Sequence, residues 1–212
     1  MVVKFIHLAK KNGVDIFRVF DSLNYVPNLE VAIKAIKECG GVAEAVVCYT
    51  GDVMDPECKF DSAYYVGKVE QLVALGVHIL AIKDMAGLLK PQAARHLISS
   101  LRAKFPELPI HVHTHDTAGT GVATYLACLE SGADVVDCCT DSMSGLTSQP
   151  SIGAVVGALA GTPLDSGLNP KELRPINEYW ETARTLYAPF ESPGQSDNSA
   201  THTSYREPAR GH

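Results

Sequence analysis

Five short, β-branched apolar runs recur along the chain at near-regular spacing, and a stretch of helical periodicity follows each of the first four. The runs cover residues 15–20 (DIFRVF), 45–49 (AVVCY), 78–83 (HILAIK), 109–115 (PIHVHTH) and 134–139 (DVVDCC). Between them lie LEVAIKAIKECGG, DSAYYVGKVEQLVALGV, PQAARHLISSLRAKF and GTGVATYLACLESGA. Their apolar residues return at helical intervals. Three of these stretches close on a glycine, Gly40, Gly76 or Gly132, where a helix C-cap is wanted. Strand–helix alternation of this kind builds βα units and a parallel sheet. Strands covered by helices read as continuous apolar runs, as these do. Two more helices are expected over Ile152–Leu159 and Pro170–Tyr187.

Polar residues gather where each run ends: Arg18 to Asp21, Tyr49 to Asp52, Lys83 with Asp84, His113 to Asp116, and Asp137 on to Gly145. Barrels and open α/β sheets both place their chemistry at the carboxyl ends of strands. Here all five ends carry charged or ligand-type side chains. That favours a barrel, whose strand ends surround one mouth, over an open sheet, which concentrates them at one switch point. The phosphate-loop and dinucleotide patterns GxxxxGK[ST] and GxGxxG are absent from the sequence. A (β/α)8 barrel needs about 250 residues. The expected fold class is therefore α/β, an incomplete TIM (β/α)8 barrel over residues 1–190, followed by a disordered, divergent tail over 191–212 that is rich in Ser, Pro and Gly.

Composition narrows the function. The 212 residues are 46% hydrophobic and 20% charged, which excludes a disordered, collagen-like or coiled-coil protein. The net charge is −6 and Lys and Arg are scattered, so no nucleic-acid partner is expected. No apolar run reaches the roughly 18–20 residues that span a bilayer, so no membrane partner is expected either. At the N-terminus Val2, Phe5, Ile6 and Ala9 recur at helical spacing, and Lys10 and Lys11 precede an Asn12-Gly13 cap. This reads as a helix rather than a targeting segment, and further sequence is expected upstream of it. The six cysteines form no C-x-x-C and read as buried free thiols in a reducing compartment.

His111, His113 and His115 alternate, so their side chains share one face of a strand. His113 and His115 lie nearest its carboxyl end, where two imidazoles two residues apart can reach one divalent ion. Hydrogen-bonded core histidines are the alternative. Lys83 ends an apolar strand, where a lysine serves as a Schiff-base nucleophile, as the partner of a carboxylate, or, once carbamylated by CO2, as a metal ligand. Asp21, Asp84 and Asp116 are candidates for the mouth or for orienting a ligand; Asp116 can equally cap the next helix. Arg18 reads as an ion-pair residue. The segment 142–151, SMSGLTSQPS, can cradle an anion before a helix or form a plain capped loop.

Taken together, FRVFDSLN (17–24), CYTGD (48–52), IKDMAGLLKP (82–91), HVHTHDTAGTG (111–121) and DSMSGLTSQPS (141–151) resemble the carboxyltransferase domain of the pyruvate carboxylase family, over about residues 2–190. The wider group includes the transcarboxylase core, the oxaloacetate decarboxylase α subunit and hydroxymethylglutaryl-CoA lyase. The resemblance implies a TIM barrel, of which this chain matches the fourth to eighth strands, with one divalent ion, Mn or Zn, at the mouth. It implies that Lys83 is carbamylated and that its carbamate joins His113 and His115 as ligands.

The family's fourth ligand, an aspartate in a D-T-x-x-R-D motif, has no counterpart in this sequence. Nor do its pyruvate-binding arginine in LLRGxNxVGY and its proton-shuttling threonine in T-P-S-S-K. The implied reaction moves CO2 from carboxybiotin to pyruvate and gives oxaloacetate. Biotin is carried on a separate domain, and ATP is used only by the full-length enzyme. The implied partners are pyruvate, the biotin-carrier domain and full-length subunits of a tetrameric family. The implied compartment is the mitochondrial matrix if the source is animal-like, and the cytoplasm otherwise. Alone, the chain is expected to be inactive; the alternatives are a non-catalytic fragment that associates with full-length subunits, or a piece of a biotin-dependent decarboxylase.

Overall fold

The computed structural model describes residues 1–191; the expected tail, apart from Glu191, lies outside the described residues. Five parallel strands form one sheet in the order of the chain: β1 (Ile16–Val19), β2 (Val42–Tyr49), β3 (Ile79–Asp84), β4 (Ile110–Thr114) and β5 (Val135–Val136). Helices α2 (Pro27–Glu38), α3 (Ser62–Ala74), α4 (Pro91–Lys104) and α5 (Gly121–Glu130) make the crossovers. Helix α1 (Val2–Lys11) precedes the sheet, and α6 (Ile152–Leu159) and α7 (Pro170–Tyr187) follow it. The α/β class and the strand–helix alternation are those expected from the sequence.

Local chemistry accounts for the element ends. Proline opens α2, α4 and α7, where a missing N–H costs nothing. The Asp61 and Ser151 side chains cap α3 and α6 by accepting from the Tyr64 and Ala154 amides. Gly40, Gly76 and Gly132 each lie one residue beyond a helix C-cap, at positive φ. All six cysteines are free thiols.

The sheet has two unlike faces. Phe17, Ala45, Val47, Leu80, Ile82, Ile110 and Val112 point at the helices and form the core with Ile33, Ile36, Tyr65, Leu97, Leu101 and Tyr125. Burial of such side chains supplies about 25 cal/mol per Å² of apolar surface. The opposite face carries Arg18, Glu44, Lys83, His111 and His113, interleaved with small or apolar residues such as Val46 and Ala81.

The fifth run is shorter as a strand than its six-residue sequence. Only Val135 and Val136 pair with β4, and the chain then leaves the ladder, with a single further bridge between Cys139 and Ser151. At the other edge, β1 and α1 bound an apolar groove of about 600 Å³ lined by Val2, Phe5, Ile6, Val14, Ile16 and Phe20. Of α1, only Ile6 is buried, and Phe5 remains 66% exposed.

Candidate functional site

Parallel register decides which side chains meet. Lys83 stands beside His113 on β4 and beside Cys48 on β2, and Arg18 stands beside Glu44. Register partners share a face, so these residues all look away from the helices. Three strands thus deliver cations and imidazoles to one surface, and β2 and the residue after β5 deliver the carboxylates that balance them.

The carboxylates are Glu44 and Asp137. Arg18 bridges them: its Nε donates to Glu44 Oε1 at 2.8 Å and its Nη1 to Asp137 Oδ2 at 2.6 Å. His111 lies between the same two acids, with Nδ1 3.1 Å from Glu44 Oε1 and Nε2 2.8 Å from Asp137 Oδ1. The Arg18 guanidinium rests against this imidazole, Nη2 3.1 Å from Nδ1. Two cations tolerate that contact because an acid stands on either side. Burial opposes a charge on His111, but the hydrogen bonds and fields of Asp137 and Glu44 outweigh it and raise its pKa to about 9. Burial likewise works against both carboxylates. His111, His113 and Arg18 nevertheless hold Asp137 well below the usual range, and His111 and Arg18 hold Glu44 below it.

Further along β4 the arrangement changes. The Nδ1 of His113 is 2.7 Å from Asp137 Oδ2, and the Nδ1 of His115, just past the strand, is 2.6 Å from the carbonyl of Thr147. A carboxylate and a carbonyl only accept, so each Nδ1 carries the proton. The two Nε2 atoms are then unprotonated in the neutral rings, and they face each other at 3.2 Å. Two lone pairs at that distance repel unless a cation lies between them. The separation is close to that of two nitrogens each about 2.0–2.1 Å from one ion. Among the described residues, no third His, Cys, Asp or Glu completes a metal-binding group with the pair. Lys83 is the neighbour by register, with its Nζ 5.4 Å from the centre of the Phe20 ring. Burial pushes the adjacent Cys48 thiol up, while the charge of Lys83 pulls it the other way.

The three candidate aspartates serve the loops. Asp21 accepts from the Leu23 and Tyr25 amides and from the Asn28 side chain, which organises the approach to α2. Asp84, next to Lys83, points to the other face; it is fully buried and accepts from the amides of Ala86, Leu88 and Leu89. Asp116 accepts from the Gly121 amide at the start of α5, the capping alternative. In the 142–151 segment, the start of α6 is taken by the protein's own Asp141, whose Oδ1 accepts from Ser151 Oγ and the Gly153 amide.

Glu44 is the residue that sequence reasoning passed over, and Asp137 was noted only as a polar residue at the end of the fifth run. A signal existed for both. Each is an acid in an otherwise apolar run, and a buried acid needs a partner.

Comparison with known proteins finds relatives of the chain. A profile of the HMGL-like family matches residues 3–179. Pyruvate carboxylase of Aspergillus terreus is 59% identical over 184 residues, and mitochondrial pyruvate carboxylase of Homo sapiens is 57% identical over 192. These alignments take in 87% and 90% of this chain but 15% and 16% of the relatives, so the chain spans about a sixth of their length. The carboxyl transferase domain of Rhizobium etli pyruvate carboxylase, solved with pyruvate and biocytin, superposes with a TM-score of 0.88 at 49% identity. It covers 91% of this chain, which spans 32% of that one.

Proposed function

The chain belongs to the HMGL-like family, and from that premise we propose that it forms the metal-holding sector of a biotin-dependent pyruvate carboxyltransferase. In this reading the five strands are the fourth to eighth of a TIM barrel. The apolar groove beside β1 is where the preceding strand–helix units pack. The inner face of the sheet is the wall of the active-site mouth.

The observation that carries the proposal is the pair of Nε2 atoms on His113 and His115, 3.2 Å apart and aimed at each other, with each Nδ1 facing an acceptor, Asp137 Oδ2 or the Thr147 carbonyl. That donor set fits a divalent ion, Mn or Zn. Lys83, on the same face of the neighbouring strand, supplies the third donor once it is carbamylated. A bound ion supplies a Lewis acid that polarises the substrate carbonyl. The chain's own part is to present the two Nε2 atoms and to hold the Nδ1–H groups in hydrogen bonds to Asp137 and to the Thr147 carbonyl. Carboxybiotin, brought by a biotin-carrier domain, would supply CO2 at this mouth, and pyruvate would be its acceptor, giving oxaloacetate. Asp21, Asp84 and Asp116 shape the loops around the mouth. The matrix compartment is proposed on the relatives from Homo sapiens, Rattus norvegicus and Mus musculus, which are named mitochondrial.

Calorimetric titration with Zn²⁺ or Mn²⁺, with and without bicarbonate, tests the reading. Bicarbonate tightens binding in the wild type and not in Lys83→Ala. His113→Ala and His115→Ala each weaken it at least tenfold. Tight binding that is indifferent to all three substitutions sinks the proposal. No carboxyl transfer from carboxybiotin to pyruvate is expected of the chain on its own.

A further inference from the structure

We infer that Asp137 is a positioning residue of this site: it holds the Nδ1 proton of His113 so that Nε2 is presented as a bare lone pair toward His115. The inference rests on the metal reading above and deepens it. Asp137 directly follows β5, and its amide donates to the Val112 carbonyl of β4 at 3.2 Å, which fixes its backbone against the strand that carries His113. Its carboxylate is then pinned by three donors. Oδ1 takes His111 Nε2 at 2.8 Å, and Oδ2 takes both Arg18 Nη1 at 2.6 Å and His113 Nδ1 at 2.7 Å. Arg18 is itself anchored at Glu44. The carboxylate therefore cannot rotate to reach the Nε2 side of His113 without giving up Arg18 and His111. It lies behind the imidazole, at the ring nitrogen opposite the His113–His115 gap. Carboxylates in this relation to an imidazole set its tautomer and its ring orientation. His115 has the matching arrangement through a backbone carbonyl, which side-chain substitution leaves in place.

The test has a readout that needs no metal. In the metal-free wild-type chain, ¹⁵N-resolved imidazole NMR should find the His113 proton on Nδ1. Asp137→Ala should move it to Nε2 or to a mixture, and Zn²⁺ affinity should fall about 10–100-fold. Asp137→Asn keeps an oxygen for the Nδ1 proton and should restore affinity to within about threefold. A wild-type His113 protonated on Nε2 overturns the inference without any variant, so a misfolded Asp137→Ala leaves it testable. So does an Asp137→Ala chain that keeps the Nδ1 proton and binds Zn²⁺ within twofold of wild type. If His113→Ala and His115→Ala leave Zn²⁺ affinity unchanged, the metal reading fails, while the NMR result still decides what Asp137 does to His113.

Discussion

Asp84 offers the sharpest test of how the site is separated from its scaffold. It neighbours Lys83 in sequence, yet it is fully buried on the helix side of the sheet and has four hydrogen-bond partners. Oδ1 accepts from the Ala86 and Leu88 amides at 3.2 and 3.0 Å; Oδ2 accepts from the Leu89 amide at 2.8 Å and from Thr114 Oγ1 at 3.3 Å. Asp84→Ala orphans the Leu89 amide inside the protein, which costs about 1–3 kcal/mol. The Ala86 and Leu88 amides are only partly buried and can turn to water, so each loses the net value of one bond, about 0.5–1.5 kcal/mol. The expected total is about 2–6 kcal/mol. Asp84→Asn keeps one acceptor oxygen and should cost about half of that. Urea unfolding followed by circular dichroism, with all variants at one protein concentration, reads these values from the midpoint shift at constant slope. Zn²⁺ affinity of folded Asp84→Asn should stay within twofold of wild type. The reasoning is refuted if Asp84→Ala costs less than about 1 kcal/mol, or if Asp84→Asn weakens Zn²⁺ tenfold while leaving stability intact.

Gly87 adopts φ +68°, and an added Cβ would lie 3.0 Å from the Ala118 amide nitrogen and 3.1 Å from the His115 carbonyl; Gly87→Ala should cost about 1–3 kcal/mol and loosen Zn²⁺ binding by shifting His115, both measurable on one sample. In the metal-free chain, Glu44 and Asp137 are held below their unfolded values near about 4, so they stabilise above that pH and their contribution is lost as pH falls. His111 is raised from about 6.5, so its contribution is full below that value and is lost as pH climbs through about 9; thermal melts should show both limbs, and His111→Gln should flatten the alkaline one. Phe5, Ile16 and Phe20 are at least half exposed beside the β1 groove, so sedimentation velocity should show concentration-dependent self-association that Phe5→Lys with Ile16→Lys reduces; a wild-type monomer at every concentration would contradict this.

Periodicity made the scaffold legible. Helices α6 and α7 keep the bounds expected of them, and the apolar runs are where the strands lie, because burial under helices imposes a pattern that local composition records. The parity of His111, His113 and His115 was legible for the same reason. What failed to show was partnership across the sheet. Arg18 and Asp137 are 119 residues apart in sequence, and only the pairing of the five strands into one sheet brings them to 2.6 Å. Asp21 and Asp116 were mouth candidates because they stand at strand ends, and there their carboxylates accept from turn amides. Turns also begin at strand ends, and their unpaired amides compete for the same carboxylates. Asp84 could have been assigned from parity alone, since adjacent residues of a strand face opposite ways.

The strand order, identical to the chain order, has a kinetic consequence. Every strand pairs only with its immediate predecessor and successor, so no segment has to thread between two strands already joined. Each βα unit can add to a growing edge at a loop-closure cost set by about thirty residues, and that cost rises only slowly with length. The longest ladder is between β2 and β3, six residue pairs, whereas β4 and β5 share two. Amide exchange should therefore be slowest in β2 and β3 and quicken toward β5. The residue that steadies His113 follows the strand that opens first, so the site would lose its geometry through local fraying well before the core unfolds.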